Sequence, residues 1–448
     1  MLTPDNARDI AARIVEQAIK AGATAADAMV VADASSDVSV RLGELEDVSH
    51  SEGQEIGLRV FDGQRSASVA SSDLSSETLQ EMVRRAVAMA REAPEDPYAG
   101  LAPADLLLRE MAPDLDQFDP AEPSPADLRA RALSAEQASR AVRGVSNSNG
   151  ASASASSSTV ALVTSGGFAG AYRASGFGNS ASVIAGDGAA MQRDHAFHSA
   201  RHLADLENAE EIGRRAGERA AARVGPVKPE PGRYAILFDP RVAASLLGHF
   251  TAAITGSGIA RKTSFLQDKL GQRVFAPGII IRDDPLRVRG LRSRPFDGEG
   301  LPVRPMDLVS DGVLTTWLAD SAAARQLGIQ PTGHASRGVS GAPGAGPSNL
   351  SLQAGPRSRE ELLGTFPRAI LVTELIGQGV NGVTGDYSRG AAGFLVSGGE
   401  IGPPVSEITI ASTLQQMFAT LEPGSDLHYR RGIDAPTVLV PEMTVASA

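Results

Sequence analysis

The sequence predicts an α+β chain, with two helix–strands–helix modules followed by a β-rich C-terminal domain. Three observations predict it. Residues 1–93 and 120–225 each open on an amphipathic helix, pass through strand-like stretches and close on a second helix. A connector at 94–119 separates them, in a region with six prolines between positions 94 and 123. Beyond Pro226, Pro229 and Pro231 the pattern changes, and 230–448 reads as a domain of short strands and Gly turns. A chain of 448 residues suits this division at ~100–200 residues per domain.

In the first module, Thr3 is placed to cap a helix that Pro4 begins and Gly22 ends, with Ile10, Ile14, Ala18 and Ile19 on one face. Four β-like stretches follow, near 27–32, 37–49, 54–61 and 65–71, the last two joined by the hairpin signal Asp62-Gly63. A second helix, about 76–92, carries Leu79, Met82, Val83, Ala86, Val87 and Ala90 at helical spacing and stops before Pro94 and Pro97. The order then recurs: a helix near 125–142, strands to about 202, and a helix near 208–223. This points to a structural duplication, although the two halves share no convincing identity. The Ser/Ala/Asn run 146–158 reads as a polar hairpin turning at Asn149-Gly150 and continuing into the apolar strand Val160–Val163. In the last domain, strand Tyr234–Phe238 leads to helix Arg241–Ile254. Asp311-Gly312 marks another hairpin, and the Gly/Pro stretch 338–347 is an irregular loop.

Composition narrows the function. Hydrophobic residues at 42% and charged residues at 21% support a sizeable core, while aromatics at 4% and 47 glycines favour turns over an aromatic pocket. Forty-two basic against 53 acidic side chains give a net charge of −11, which repels phosphate backbones and argues against nucleic acid as a partner. The Arg-rich stretch from Arg282 to Arg294 is interrupted or flanked by Asp283, Asp284 and Asp297, so it reads as a solvated or salt-bridged patch. With no cysteine, disulfides, thiolate nucleophiles and Cys-bound metals are excluded. The N-terminus Met-Leu-Thr-Pro-Asp-Asn is unlike a signal peptide, and no apolar run approaches the ~20 residues of a membrane helix. A cytoplasmic protein with no membrane association is expected.

Candidate chemistry is sparse. His195, His198 and His202 would share one face of a helix and could then hold zinc, but the flanking residues read as a strand, which sends 195 and 198 to opposite faces. His249 has neither the second His one turn on nor the adjacent carboxylate of a helical zinc peptidase. The densest motif runs from Thr373 to Gly393 with six glycines. Ser388 lies outside a Gly-x-Ser-x-Gly elbow and has no local His, and Gly377-Gln378-Gly379 lacks the Lys-Ser/Thr of a phosphate loop. By chemistry alone, Asp386 and Arg389 form a turn-stabilising ion pair.

These residues nonetheless match a family. Thr373-Glu-Leu-Ile-Gly-Gln-Gly-Val-Asn381 with Thr384-Gly-Asp-Tyr-Ser-Arg-Gly-Ala-Ala-Gly-Phe394 resembles the C-terminal signature of the PmbA/TldE proteins, partner subunits of TldD in the TldD/TldE metallopeptidase. The stretch Gly256 to Gly271 continuing to Phe275-Ala-Pro-Gly278 and Asp283-Asp284-Pro285 resembles it too, as do Arg294-Pro-Phe-Asp-Gly-Glu-Gly300 and Thr332-Gly-His-Ala-Ser-Arg337. TldD-type chains carry His-Glu-x-x-x-His on the helix after the first strand of the C-terminal domain, completed by a distant Cys. The corresponding positions here are Gly248, His249 and Ala253. The resemblance therefore implies a subunit without catalytic or metal-ligating residues. Its partner would be a TldD-like chain whose zinc polarises a peptide carbonyl and activates water. His249, Arg261, Lys262, Asp386, Tyr387, Ser388 and Arg389 would line a substrate chamber or an interface. The substrate class implied is an unfolded peptide, held by strand addition through backbone groups. Two alternatives stay open: a stand-alone peptide-binding or scaffold protein without peptidase activity, and an enzyme acting alone through Asp386, Tyr387 and Ser388.

Overall fold

A computed structural model of the chain describes residues 2–447, leaving aside the side chain of residue 189. The N-terminal half contains α1 (Pro4–Lys20), β1 (Ala25–Arg41), β2 (Glu44–Asp62), β3 (Arg65–Ser71) and α2 (Ser76–Glu92). The same order returns in α3 (Pro125–Arg140), β4 (Val145–Thr164), β5 (Ala169–Ala185), β6 (Gln192–Ala200) and α4 (Ala209–Ala222). The six strands form one antiparallel sheet in the order β3-β2-β1-β4-β5-β6, so the two blocks meet where β1 pairs with β4.

Strand alternation decides which face each residue serves. Ala26, Ala28 and Val30 of β1 pack under α1 and α2, and Val38 and Val40 pack under α3 and α4. Asp27 and Met29 therefore point the other way, and Met29 joins Leu162, Tyr172 and the connector's Leu107 against Phe296 and Leu301 of the C-terminal domain. Helices cover one face of the sheet, and the connector and C-terminal domain cover the other.

The C-terminal part begins with β7 (Gly232–Phe238), α5 (Pro240–Ala253), α6 (Gly256–Ala260), β8 (Ile281–Asp283), β9 (Met306–Ser310), β10 (Val313–Leu314) and α7 (Ser321–Leu327). It continues with β11 (Ala335–Ser336), β12 (Gly344–Ala345), β13 (Leu350–Leu352), α8 (Arg359–Leu363), β14 (Arg368–Ile376) and β15 (Asp386–Ser397). It ends with β16 (Glu400–Thr413), α9 (Leu414–Thr420), β17 (Glu422–Pro423), β18 (Ile433–Asp434) and β19 (Val438–Ser447). The strands β16-β15-β14-β7-β19 run side by side, and a further pairing of β16 with β19 closes them on one another. The α+β class with a β-rich C-terminal domain is thus as the sequence predicted. Among the described residues no helix is long and apolar enough to cross a membrane.

Local expectations fare unevenly. All six apolar residues expected on one face of α2 are buried, whereas on α1 Ile10 is half-buried and Ile19 exposed, because Ala7, Ala11 and Val15 take the inner face. The four stretches of the first module are three strands, since 37–49 straddles the hairpin turn at Leu42-Gly43, both at positive φ. The next hairpin turns at Gly63-Gln64, one residue later than expected. Asn149-Gly150 is not a turn. β4 runs straight through it, and Gly150, at φ +101°, sits in an irregularity of the β4–β5 register. Segment 338–347 is irregular except for β12, which pairs with β11.

The two halves are joined by buried charge. Asp27 lies opposite Arg59 in the β1–β2 register and accepts a hydrogen bond of 3.0 Å from its Nε, while its other oxygen accepts from Arg337, which follows β11. Nearby, Glu299 accepts from the backbone N–H and the hydroxyl of Ser321 at 2.8 and 2.7 Å. Burial, reinforced by the charge of Asp297, pushes the Glu299 carboxyl up to about 7. Phe296 completes the junction, edge-on to Phe168 with ring centres 4.9 Å apart.

Candidate functional site

The site starts from α5. Asp239 caps it by accepting from the Arg241 N–H at 3.1 Å, Pro240 occupies its first turn, and Leu246, Leu247 and Phe250 bury its inner face. That periodicity leaves Gly248 exposed with open space about it, and His249 half-buried at the margin. After α6 the chain turns at Arg261 and Lys262, both exposed, with Lys262 left-handed at φ +58°.

The glycine-rich motif is a loop, 377–385, between β14 and β15. Asn381 organises it, its side-chain oxygen accepting from the N–H groups of Val383 (2.9 Å) and Thr384 (3.2 Å). The loop folds back so closely that a Cβ on Gly379 would lie 1.9 Å from the Ser388 carbonyl oxygen. Gly385, at φ +82°, lets the chain enter β15 beneath Gln415, whose amide donates to the Thr384 carbonyl at 2.8 Å. A bond from the Phe265 N–H to the Gly382 carbonyl ties the segment after α6 to this loop.

The expected Asp386–Arg389 ion pair does not form. A spacing of three on a strand sends the two side chains to opposite faces. Asp386 accepts instead from the Thr384 hydroxyl at 2.6 Å, and among the described residues Arg389 has no carboxylate partner. Ser388 is exposed and Tyr387 is buried, its ring edge-on to His249 with centres 6.0 Å apart. Arg389 lies close enough to act electrostatically on both. Burial, with the Arg389 charge second, holds the His249 imidazole below its ordinary range, and burial raises the Tyr387 phenol above its own. Among the described residues, the Nε2 of His249, the hydroxyl of Tyr387 and the Nε of Arg389 are all buried without a hydrogen-bond partner. Three such atoms in one place are unusual, since buried polar groups are nearly always paired.

This donor set does not fit a metal ion. α5 offers one imidazole beside a residue with no side chain, and the neighbouring guanidinium repels a cation. Among the described residues no three His, Asp or Glu side chains converge as a metal site requires. The histidines of the other cluster are separately employed: His195 stacks on Phe197, the Nδ1 of His198 accepts from the Glu207 N–H at 3.1 Å, and His202 meets Asp116 at 3.2 Å. Arg282 pairs with Asp307, and Arg289 with Asp116 and Asp205. Two arginines of the basic stretch are thus salt-bridged, to carboxylates outside it, while Arg287 lies over the Tyr429 ring and Arg292 and Arg294 donate to backbone carbonyls.

Comparison with known proteins settles the lineage. Three family descriptions match in order: PmbA/TldA metallopeptidase domain 1 at residues 26–90, the central domain at 118–224 and the C-terminal domain at 231–447. The chain belongs to the PmbA/TldA metallopeptidase family. Metalloprotease PmbA of Escherichia coli O157:H7 is 38% identical over 91% of this chain and 89% of that protein. The PmbA homolog of Haemophilus influenzae is 35% identical over 96% and 94%. Among solved structures, a Bacteroides thetaiotaomicron protein described as a modulator of DNA gyrase superposes with a TM-score of 0.92 at 24% identity, covering 100% of both chains. TldE of Thermococcus kodakarensis superposes with 0.86 at 20% identity, over 98% of this chain and 100% of that one. These two likenesses concern the fold.

Sequence reasoning missed the Asp27–Arg59–Arg337 cluster and Glu299. Its signal was present: an Asp inside the otherwise apolar strand 25–32, which a buried position tolerates only with a partner. The motif around Asp297 and Glu299 carried the family resemblance; its two carboxylates are bonded within the C-terminal domain, while its Phe296 packs on Phe168 at the junction between the two halves.

Proposed function

We propose that this chain is the metal-free subunit of a TldD/TldE-type peptidase, pairing with a TldD-like zinc chain and helping to enclose an unfolded peptide. The observation that carries the reading is the group on α5 and β15: His249, Tyr387 and Arg389 keep unpaired polar atoms where metal ligands would be needed. Family membership along nearly the whole chain supports a peptide-handling architecture, and this donor set generates no nucleophile, so bond cleavage belongs to the partner. Exposed apolar residues beside the site, Ile376 and Val383, each 55% accessible, suit burial against a second chain.

Size-exclusion chromatography with light scattering, applied to each chain alone and to their mixture, tests the pairing. The expected result is one species of summed mass whose zinc remains with the TldD-like chain. Separate elution of the two chains would favour a stand-alone peptide-binding protein instead.

A further inference from the structure

Away from α5's His249, the N-terminal end of the same helix opens into a different kind of site. A cleft of about 330 Å³ lies between β6 and α4 on one side and α5 and the approach to β18 on the other. It adjoins a second cavity of about 320 Å³, sharing His198, Arg430, Arg431 and Asp434 with it. Six arginines line the first cleft against three aspartates. In a chain of net charge −11, that concentration of guanidiniums needs an explanation.

Most of the charges are already paired. Arg241 makes a forked contact with Asp194 at 2.7 and 3.1 Å, and Arg223 approaches the same carboxylate from behind. Glu207 takes Arg215 on one oxygen and Arg430 on the other. Arg359 pairs with Asp239, whose second oxygen caps α5. Asp426 gives both oxygens to Thr437. Asp434 accepts from the N–H groups of Arg430 and Arg431 with one oxygen, and the other is buried without a hydrogen bond.

Two cations remain. Arg219 bonds only to the carbonyl of His195, at 3.2 Å. Arg431 bonds only to the carbonyl of Arg241, at 3.0 Å, and lies over the Phe197 ring at 5.0 Å. Neither has a carboxylate within ion-pair distance among the described residues. The positive end of α5 faces the same space. Burial, with the charge of Arg241 second, lowers Arg219 to about 10, and the charges of Asp194 and Asp239 offset this only in part.

We propose that this cleft binds a small ligand through a doubly charged phosphate group held between Arg219 and Arg431. The choice of a phosphate over a carboxylate rests on the two guanidiniums left without an ion-pair contact: a dianion with several oxygens can bond both, and a monocarboxylate would leave one of them without a partner. Guanidinium forks fit the oxygens of a tetrahedral anion, and the combined cavities leave room for an organic group behind it.

Isothermal titration of the full chain with inorganic phosphate, at fixed ionic strength and near-neutral pH, tests the site. Acetate serves as the monoanion control and glycerol phosphate as the organic monoester. The proposal expects saturable one-site binding of phosphate, none of acetate, and a constant weakened about tenfold or more in both Arg219→Gln and Arg431→Gln. Arg84→Gln, at an exposed ion pair on α2, should leave it unchanged. Tighter binding of glycerol phosphate than of inorganic phosphate would assign the site to an organic monoester, and equal binding to free phosphate. Should Arg219→Gln not fold, Arg431→Gln carries the comparison alone. Unsaturable heats, or equal affinity in parent and variants, would overturn the proposal.

Discussion

Arg337 and Arg389 make an instructive pair. Both stand in family-like motifs, and both have guanidinium nitrogens buried without hydrogen bonds. Arg337 has an anion to face: Asp27, reached across 310 positions of sequence and shared with Arg59. Arg389 has none, and it stands beside a histidine and a tyrosine whose polar atoms are also unpaired. A compensated charge at a domain junction holds the fold together. An uncompensated one beside other unsatisfied groups adds little to the stability of the chain alone.

The contrast can be broken most sharply at Asp27. Asp27→Ala leaves two buried guanidiniums facing each other, and the expected loss is about 3–5 kcal/mol, read from denaturant unfolding. A change under about 1 kcal/mol would mean that the junction does not depend on this carboxylate.

Glu299 sharpens the same side through pH. Its folded-state value, raised from 4.5 to about 7, means the folded chain holds the proton more tightly than the unfolded one. The resulting stability is fully present below 4.5 and disappears as pH rises through about 7. Glu299→Gln should remove about 3 kcal/mol of pH dependence across that window, measured as the difference between variant and parent. Parallel stability–pH curves for the two proteins would contradict the assignment.

At the other region the expected effects on stability are small. Arg389→Ala should unfold within about 1 kcal/mol of the parent, since it strands no carboxylate. It should also let the His249 imidazole titrate at higher pH, because the Arg389 charge helps to hold it down. His249 itself, depressed below 6.5, contributes stability that is present above that value and is lost as pH falls through its folded-state value. NMR of the imidazole in parent and variant reads the shift, and an unmoved resonance would separate Arg389 from the histidine.

How much of this was legible depends on range. α2 could be read residue by residue, because helical spacing is local and its six apolar positions are all buried. β4 was misread at Asn149-Gly150 because the same dipeptide serves a hairpin or a bulge, and only the neighbouring strand decides which. Asp386 and Arg389 looked like partners because they are close in sequence, but the extended backbone parts them. The site residues from His249 to Arg389 could be nominated by resemblance. That three of them share one unpaired cluster depends on packing α5 against β15, which no local pattern encodes. The junction was invisible for the same reason, its partners lying hundreds of positions apart.

The central claim is that cleavage needs this chain while its chemistry lies in another. Hydrolysis of an unfolded peptide should be followed with this chain alone, with a TldD-like chain alone and with the two mixed, each with and without a zinc chelator. The account predicts cleavage in the mixture only, abolished by the chelator. Equal cleavage by the TldD-like chain alone, or chelator-resistant cleavage by this chain alone, would contradict it.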